Sequence, residues 1–326
     1  MASSRLLKLL AAGALGVLGG GAYAWQKLEC GRRHDTCEGP HTASSPHICA
    51  ARRLNRGAGI LALSVAADSA LEHYRGAFHN RAMYMPLVTS TLALVASAHG
   101  LQDQSPAAHR LRDYVYTGAV ITGFVGTAFH FYNISRKPGG FNADNLFYAA
   151  PLGAPAALIL SGLLGVYGER VRDTAQDTLP KVFGLPAGEA VAWMTAAGLL
   201  GTVAEAGLLH FRGAFQNPVM YLPVSLPPMA AGLLVATVLG GETQPRLRWM
   251  SRLGLRMTAI MGLMGSCFHG FGVSRNFGGW KNWRQNLQVG PPIPAPPGFT
   301  GLALAGLAAH RLLDAETHIK LRRDRS

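Results

Sequence analysis

The chain has 326 residues, of which only 14% are charged, against about 25% in a typical soluble protein. Its apolar stretches lack the charged face of a surface helix, so composition excludes a pair of ordinary soluble domains and makes membrane lipid the first partner. The net charge of +13 does not call for nucleic acid, because the basic residues sit in short segments between apolar runs, where membrane topology accounts for them.

In chain order, residues 1–25 form an N-terminal transmembrane segment or a signal peptide. Arg5 and Lys8, an apolar run and Ala22-Tyr23-Ala24 look like a secretory leader. The basic residues that follow, Lys27, Arg32, Arg33, Arg52, Arg53 and Arg56, favour instead a retained span with its N-terminus outside. Residues 26–57 are polar and hold Cys30, Cys37 and Cys49 among His34, His41 and His47. These are weak metal ligands, since the spacing matches no zinc pattern. A disulfide on an oxidising face or a plain polar tail are the other readings. Apolar stretches then follow near 58–76, 84–100, 114–132, 148–167, 189–210, 219–240, 254–271 and 297–313, each near the length needed to cross a bilayer.

The chain repeats itself. HYRGAFHNRAMYMP at 73–86 returns as HFRGAFQNPVMYLP at 210–223, and FHFYNISRKPGGF at 129–141 returns as FHGFGVSRNFGGW at 268–280. The step is 137 residues from His73 to His210, 139 from His130 to His269 and 141 from Pro155 to Pro296. The expected fold is an all-α polytopic membrane protein with two tandem, parallel four-helix transmembrane repeats, 58–168 and 189–313, joined by a linker at 169–188 and followed by a basic tail at 314–326. Four spans per repeat is an even number, so both repeats enter from the same side and the duplicated phrases share one membrane face. That face carries fewer Lys and Arg than the other, so the positive-inside rule puts it outside the cytoplasm and the C-terminus inside, in a multi-pass cell-membrane protein. Cleavage of residues 1–25 would reverse this.

Each repeat places a histidine at the end of its first span (His73, His210) and of its third (His130, His269). Asp68 and Glu205 lie five residues before the first of these, and Arg75 and Arg212 two residues after it. Arg136 and Arg275 follow the second, ahead of paired glycines. An acid inside a span is costly and is a functional candidate by default, although it can simply pair with an arginine. Histidines on neighbouring helices can be axial ligands of haem b, with arginines on its propionates. The leading expectation is a b-type cytochrome-like electron-transfer protein, working between quinone and an extracytoplasmic redox partner, with Asp68 or Glu205 managing protons. The alternatives are a small-anion transporter or channel that uses the duplicated arginines as clamps, and a dinuclear-metal protein in which acids and histidines hold metal ions. The glycines and asparagines also suit tight loops, with positive φ at Gly76, Gly213 and the paired glycines and asparagine caps. Cys267 is expected to pack in the core.

Overall fold

The computed structural model describes residues 46–148, 152–175, 178–240 and 244–323. They form an almost wholly helical chain. Its helices are α1 (Pro46–Arg75), α2 (Met85–Gln102), α3 (Arg110–Ser135), α4 (Ala143–Tyr148), α5 (Gly153–Arg172), α6 (Ala187–Arg212), α7 (Leu222–Gly240), α8 (Pro245–Arg275), α9 (Trp283–Val289) and α10 (Pro297–Arg323). A two-residue hairpin, β1 (Lys181–Val182) with β2 (Leu185–Pro186), precedes α6.

The first described helix runs from Pro46, not from near 58, so His47 and Cys49 are buried residues of α1 and not part of a polar tail. Among the described residues three segments are both long and apolar enough to cross a membrane: Arg81–Gln102, Ala187–Arg212 and Pro218–Gly240. Charge dilutes others. α1 carries Arg52, Arg53 and Arg56 near its start and Asp68, Glu72 and Arg75 near its end, and α8 carries Arg246, Arg248, Arg252, Arg256 and Arg275. Rows of large apolar side chains nevertheless face outward, among them Val88, Leu92 and Val95 on α2, Ile121, Phe124 and Val125 on α3, and Leu263, Phe268 and Phe271 on α8. Exposed apolar surface of this extent belongs against lipid or another apolar partner.

α1 packs on α2 and α5, and α3 on α2 and α5; α6 packs on α7 and α10, and α8 on α7 and α10. Each half thus closes into a ring of four long helices in the same order. Third and fourth helices meet over glycines: a Cβ on Gly123 would lie 2.8 Å from the Pro155 carbonyl, and one on Gly262 would lie 2.8 Å from that of Pro296. Gly126 and Gly265 face the same prolines, whereas Gly118 meets nothing. Small residues let these helix backbones approach closely. The halves are joined by α1 on α10 and, less extensively, by α5 on α6.

Candidate functional site

α1, α3, α6 and α8 end where the two duplicated phrases begin, and both phrases fold the same way twice. After α1 the backbone turns through positive φ at Ala77 (54°) and Phe78 (46°); after α6 it does so at Ala214 (55°) and Phe215 (44°). The expected residues, Gly76 and Gly213, do not take that conformation. Their role is close approach, since a Cβ on Gly76 would lie 3.0 Å from the Met83 methyl and one on Gly213 3.1 Å from that of Met220. Left-handed backbone at alanine and phenylalanine is strained. It is held by a ring stack, Phe78 on Tyr84 at 4.4 Å and Phe215 on Tyr221 at 4.5 Å. Asn80 and Asn217 accept the N–H groups of Ala82 and Val219 and cap the short 3-10 turns that lead into α2 and α7. Pro86 then sits in the first turn of α2, where a missing N–H costs little.

The paired glycines do adopt positive φ, at Gly139, Gly140, Gly278 and Gly279. Asn145 Nδ2 donates to the carbonyls of Pro138 and Gly140 at 3.0 and 2.7 Å, and Asn286 Nδ2 to those of Phe277 and Gly279 at 3.1 and 2.8 Å. One asparagine in each half therefore staples the second loop.

These turns orient the histidines. His73 Nδ1 lies 2.6 Å from the Met83 carbonyl oxygen, and His210 Nδ1 lies 2.9 Å from that of Met220. His269 Nδ1 lies 2.7 Å from the Pro292 carbonyl oxygen. A carbonyl only accepts, so each Nδ1 carries a proton, and in the neutral ring it is Nε2 that keeps the lone pair. The His210 and His269 rings are 6.5 Å apart between centres. His130 lies within electrostatic range of His73, and its buried Nδ1 has no hydrogen-bond partner. The four histidines thus form two pairs, one in each half, rather than one cluster. Among the described residues no group of three or more His, Cys, Asp or Glu could hold a metal ion, which removes the geometric support for a dinuclear centre.

The arginines do not join them. Arg75, Arg136, Arg212 and Arg275 are exposed at the helix ends, and Arg75 pairs with Glu72 one turn back on α1, not with Asp68. Arg284 of the second half donates to the Tyr74 hydroxyl of the first at 3.2 Å, a bond between halves. Asp68 and Glu205 lie deeper, close enough to each other and to Glu72 to interact electrostatically. The Glu205 carboxyl lies against the backbone N–H of Gly153, where α5 begins.

Of the cysteines, Cys30 and Cys37 fall outside the described residues. Cys49 is disulfide-bonded, so it offers no thiolate to a metal. Cys267 is a free, exposed thiol on α8 rather than a core residue.

The opposite end holds a polar network that the motifs did not reveal. Arg112 donates from Nε and Nη2 to the two Glu169 carboxylate oxygens at 2.9 and 2.8 Å, and from Nη2 to Asp103 at 2.7 Å. Arg172 donates to the carbonyls of Gly100, Asp103 and Ser105. Arg112 and Glu169 are both buried, which is tolerable only because each is paired and hydrogen-bonded. Burial works to raise the Asp103 carboxyl, but the Ser105 N–H and the two guanidiniums outweigh it and hold it below the usual carboxylate range. A recess of about 360 Å³ also lies at this end, lined by Tyr167, Leu185, Glu189 and Trp193, far from the histidines.

No family model, curated protein or solved structure matches this chain.

Proposed function

We propose that the chain is an integral membrane redox protein of the b-type cytochrome kind, built from two parallel four-helix transmembrane repeats, with His73/His130 and His210/His269 as two separate ligand pairs near one membrane face. The observation that carries this reading is the pairing itself. Two histidines without a third ligand suit a group that brings its own equatorial nitrogens, which haem does and a bare ion does not. In the second half His210 and His269, 6.5 Å apart between ring centres, would be the residues to hold such a group. Nδ1 bonded to a backbone carbonyl is the usual way to aim Nε2 at a metal. Bound haem would supply one-electron chemistry; the chain would supply the four histidines and, through backbone carbonyls, the tautomer of His73, His210 and His269. The exposed arginines favour contacts with an anionic or soluble redox partner over a buried anion clamp, so the transporter reading has less support.

For orientation, the basic end belongs in the cytoplasm by the positive-inside rule, which leaves the histidine face extracytoplasmic. The Cys49 disulfide at the basic end argues the other way, since disulfides persist in oxidising compartments. We adopt the first arrangement because insertion reads Lys and Arg before folding pairs them.

Detergent-purified protein is expected to show a Soret band that shifts on dithionite reduction. That band should weaken in His210→Ala and in His73→Ala, and vanish in the double variant. Folded protein that stays colourless after expression with added haem precursor contradicts the reading.

A further inference from the structure

The two duplicated acids have parted roles, and we infer that Asp68 is the proton-exchanging carboxyl of the seam between the halves, while Glu205 is a helix cap. This rests on the two-repeat reading but not on haem.

Glu205 and Asp68 are 137 residues apart, and so occupy the same place in α6 and α1. Glu205 reaches across to α5 of the first half and lies against the Gly153 N–H. A carboxylate there satisfies an orphan donor and meets the positive end of the helix. The fit is so close that a Cβ on Gly153 would overlap the carboxylate.

The reciprocal contact cannot form. By the 141-residue step of the fourth helices, the counterpart of Gly153 is Pro294, which has no N–H. Pro292, Pro296 and Pro297 lack one as well. Three donors at the start of α10 are used locally, Ala295 N–H to Pro292, Gly298 N–H to Ala295 and Phe299 N–H to Pro296, and the Ile293 N–H just before them makes no bond to Asp68. α1 does pack here, because Ser64, one turn before Asp68, donates to the Pro294 carbonyl at 2.6 Å. Asp68 therefore arrives at a helix start that lacks the N–H its counterpart uses, and it makes no hydrogen bond among the described residues.

Its charged surroundings are Glu72 and Arg75 on its own helix and Glu205 from α6. The two helix starts packed nearby, 152–155 and 294–298, carry no titratable side chain. Arg75 is engaged by Glu72. Asp68 and Glu205 lie buried in the seam with the partly exposed Glu72 beside them, and mutual repulsion opposes ionising all three together. Glu72 has its arginine and Glu205 its N–H, which leaves Asp68 to take the proton.

Infrared pH titration of the detergent-solubilised protein tests this, whether or not the preparation is coloured. A protonated-carboxyl band that titrates in the parent protein should be lost in Asp68→Asn and kept in Glu205→Gln, and Glu205→Gln should lower the melting temperature more than Asp68→Asn does. Pro294→Ala keeps both acids and returns an N–H to the start of α10, so the titration should move to lower pH. It serves as the deciding variant if Asp68→Asn fails to fold. A band that survives Asp68→Asn, one lost in Glu205→Gln alone, or a midpoint unmoved by Pro294→Ala overturns the inference.

Discussion

The two halves keep one backbone plan and fill it with different chemistry. In the first half Asn55, Ser97 and Tyr116 meet in the core: the Tyr116 hydroxyl donates to Asn55 Oδ1 at 2.6 Å and lies 3.1 Å from Ser97 Oγ. At the matching steps of 137, 137 and 139 residues the second half has Ala192, Leu234 and Leu255, all fully buried. The Arg112–Glu169 pair has Ser251 and His310 as its counterparts, which are themselves bonded at 2.8 Å. Both halves hold the same helices together, the first with a buried polar network at these positions and the second with apolar contacts and the Ser251–His310 bond there, its ion pairs of Arg248 and Arg252 with Asp314 lying elsewhere on α8 and α10. Replacing both partners of a buried bond by apolar groups is close to neutral, whereas removing one partner is expensive. A duplicated fold can therefore drift in pairs of positions but not in single ones.

The largest expected effect follows from that rule. Arg112→Ala, which strands the charged Glu169, should destabilise the protein by about 3–5 kcal/mol, while Ser251→Ala in the other half, which strands a neutral partner, should cost the smaller amount of about 1–3 kcal/mol. Denaturant unfolding of the detergent-solubilised protein reads both, and equal losses would break the comparison.

The seams between halves differ in the same way. On one side Gly57 of α1 faces Gly301 of α10, where a Cβ on Gly57 would lie 2.9 Å from the Gly301 carbonyl oxygen. On the other side the matching positions are Met194 and Leu160, and α5 and α6 stand further apart. Gly57→Leu should cost roughly 1–3 kcal/mol through overpacking, and Leu160→Gly should not recover it. An unchanged melting temperature in Gly57→Leu would mean that the glycine contact does not set the closer seam.

A smaller effect is the acid limb of stability. The Asp103 carboxyl is held below its ordinary value, so its contribution is present above an unfolded value of about 3.9 and is lost as the pH falls through the lower folded value. Asp103→Asn should flatten stability over that acid range and leave it unchanged in shape above pH 5 or so. An unaltered acid limb would place the dependence elsewhere. The smallest effects should come from the caps: Asn80→Ala and Asn217→Ala should each cost about 1 kcal/mol, and by equal amounts, because here the halves are alike.

What was legible in the sequence is what both halves say. The helical fold, the paired loops, the asparagine caps and the four histidines at one end all came from duplicated residues. The Met83 and Met220 carbonyls that hold His73 and His210 were hidden in plain view, since the repeated Met-Tyr marks a position but a backbone acceptor has no side-chain signature. The Arg112–Glu169 pair occurs in one half only, so a search for repetition passes over it. Glycine bears positive φ most cheaply, which points to Gly76 and Gly213, but the chain takes it at Ala77, Phe78, Ala214 and Phe215, where Phe78 and Phe215 stack on Tyr84 and Tyr221. The length of α1 is hidden because arginines near its start look like loop, although they stand on the same continuous helix.

Compartment-specific labelling of single cysteines addresses the central claim, that both halves present their histidine ends to one side of the membrane. His79 and Gln216 are matched positions, both exposed at the turns after α1 and α6. With Cys267→Ser to remove the free thiol on α8, and the parent protein as background, His79→Cys and Gln216→Cys should react with a membrane-impermeant reagent from the same side of sealed vesicles. Reaction from opposite sides would contradict the parallel arrangement and, with it, the two-pair site.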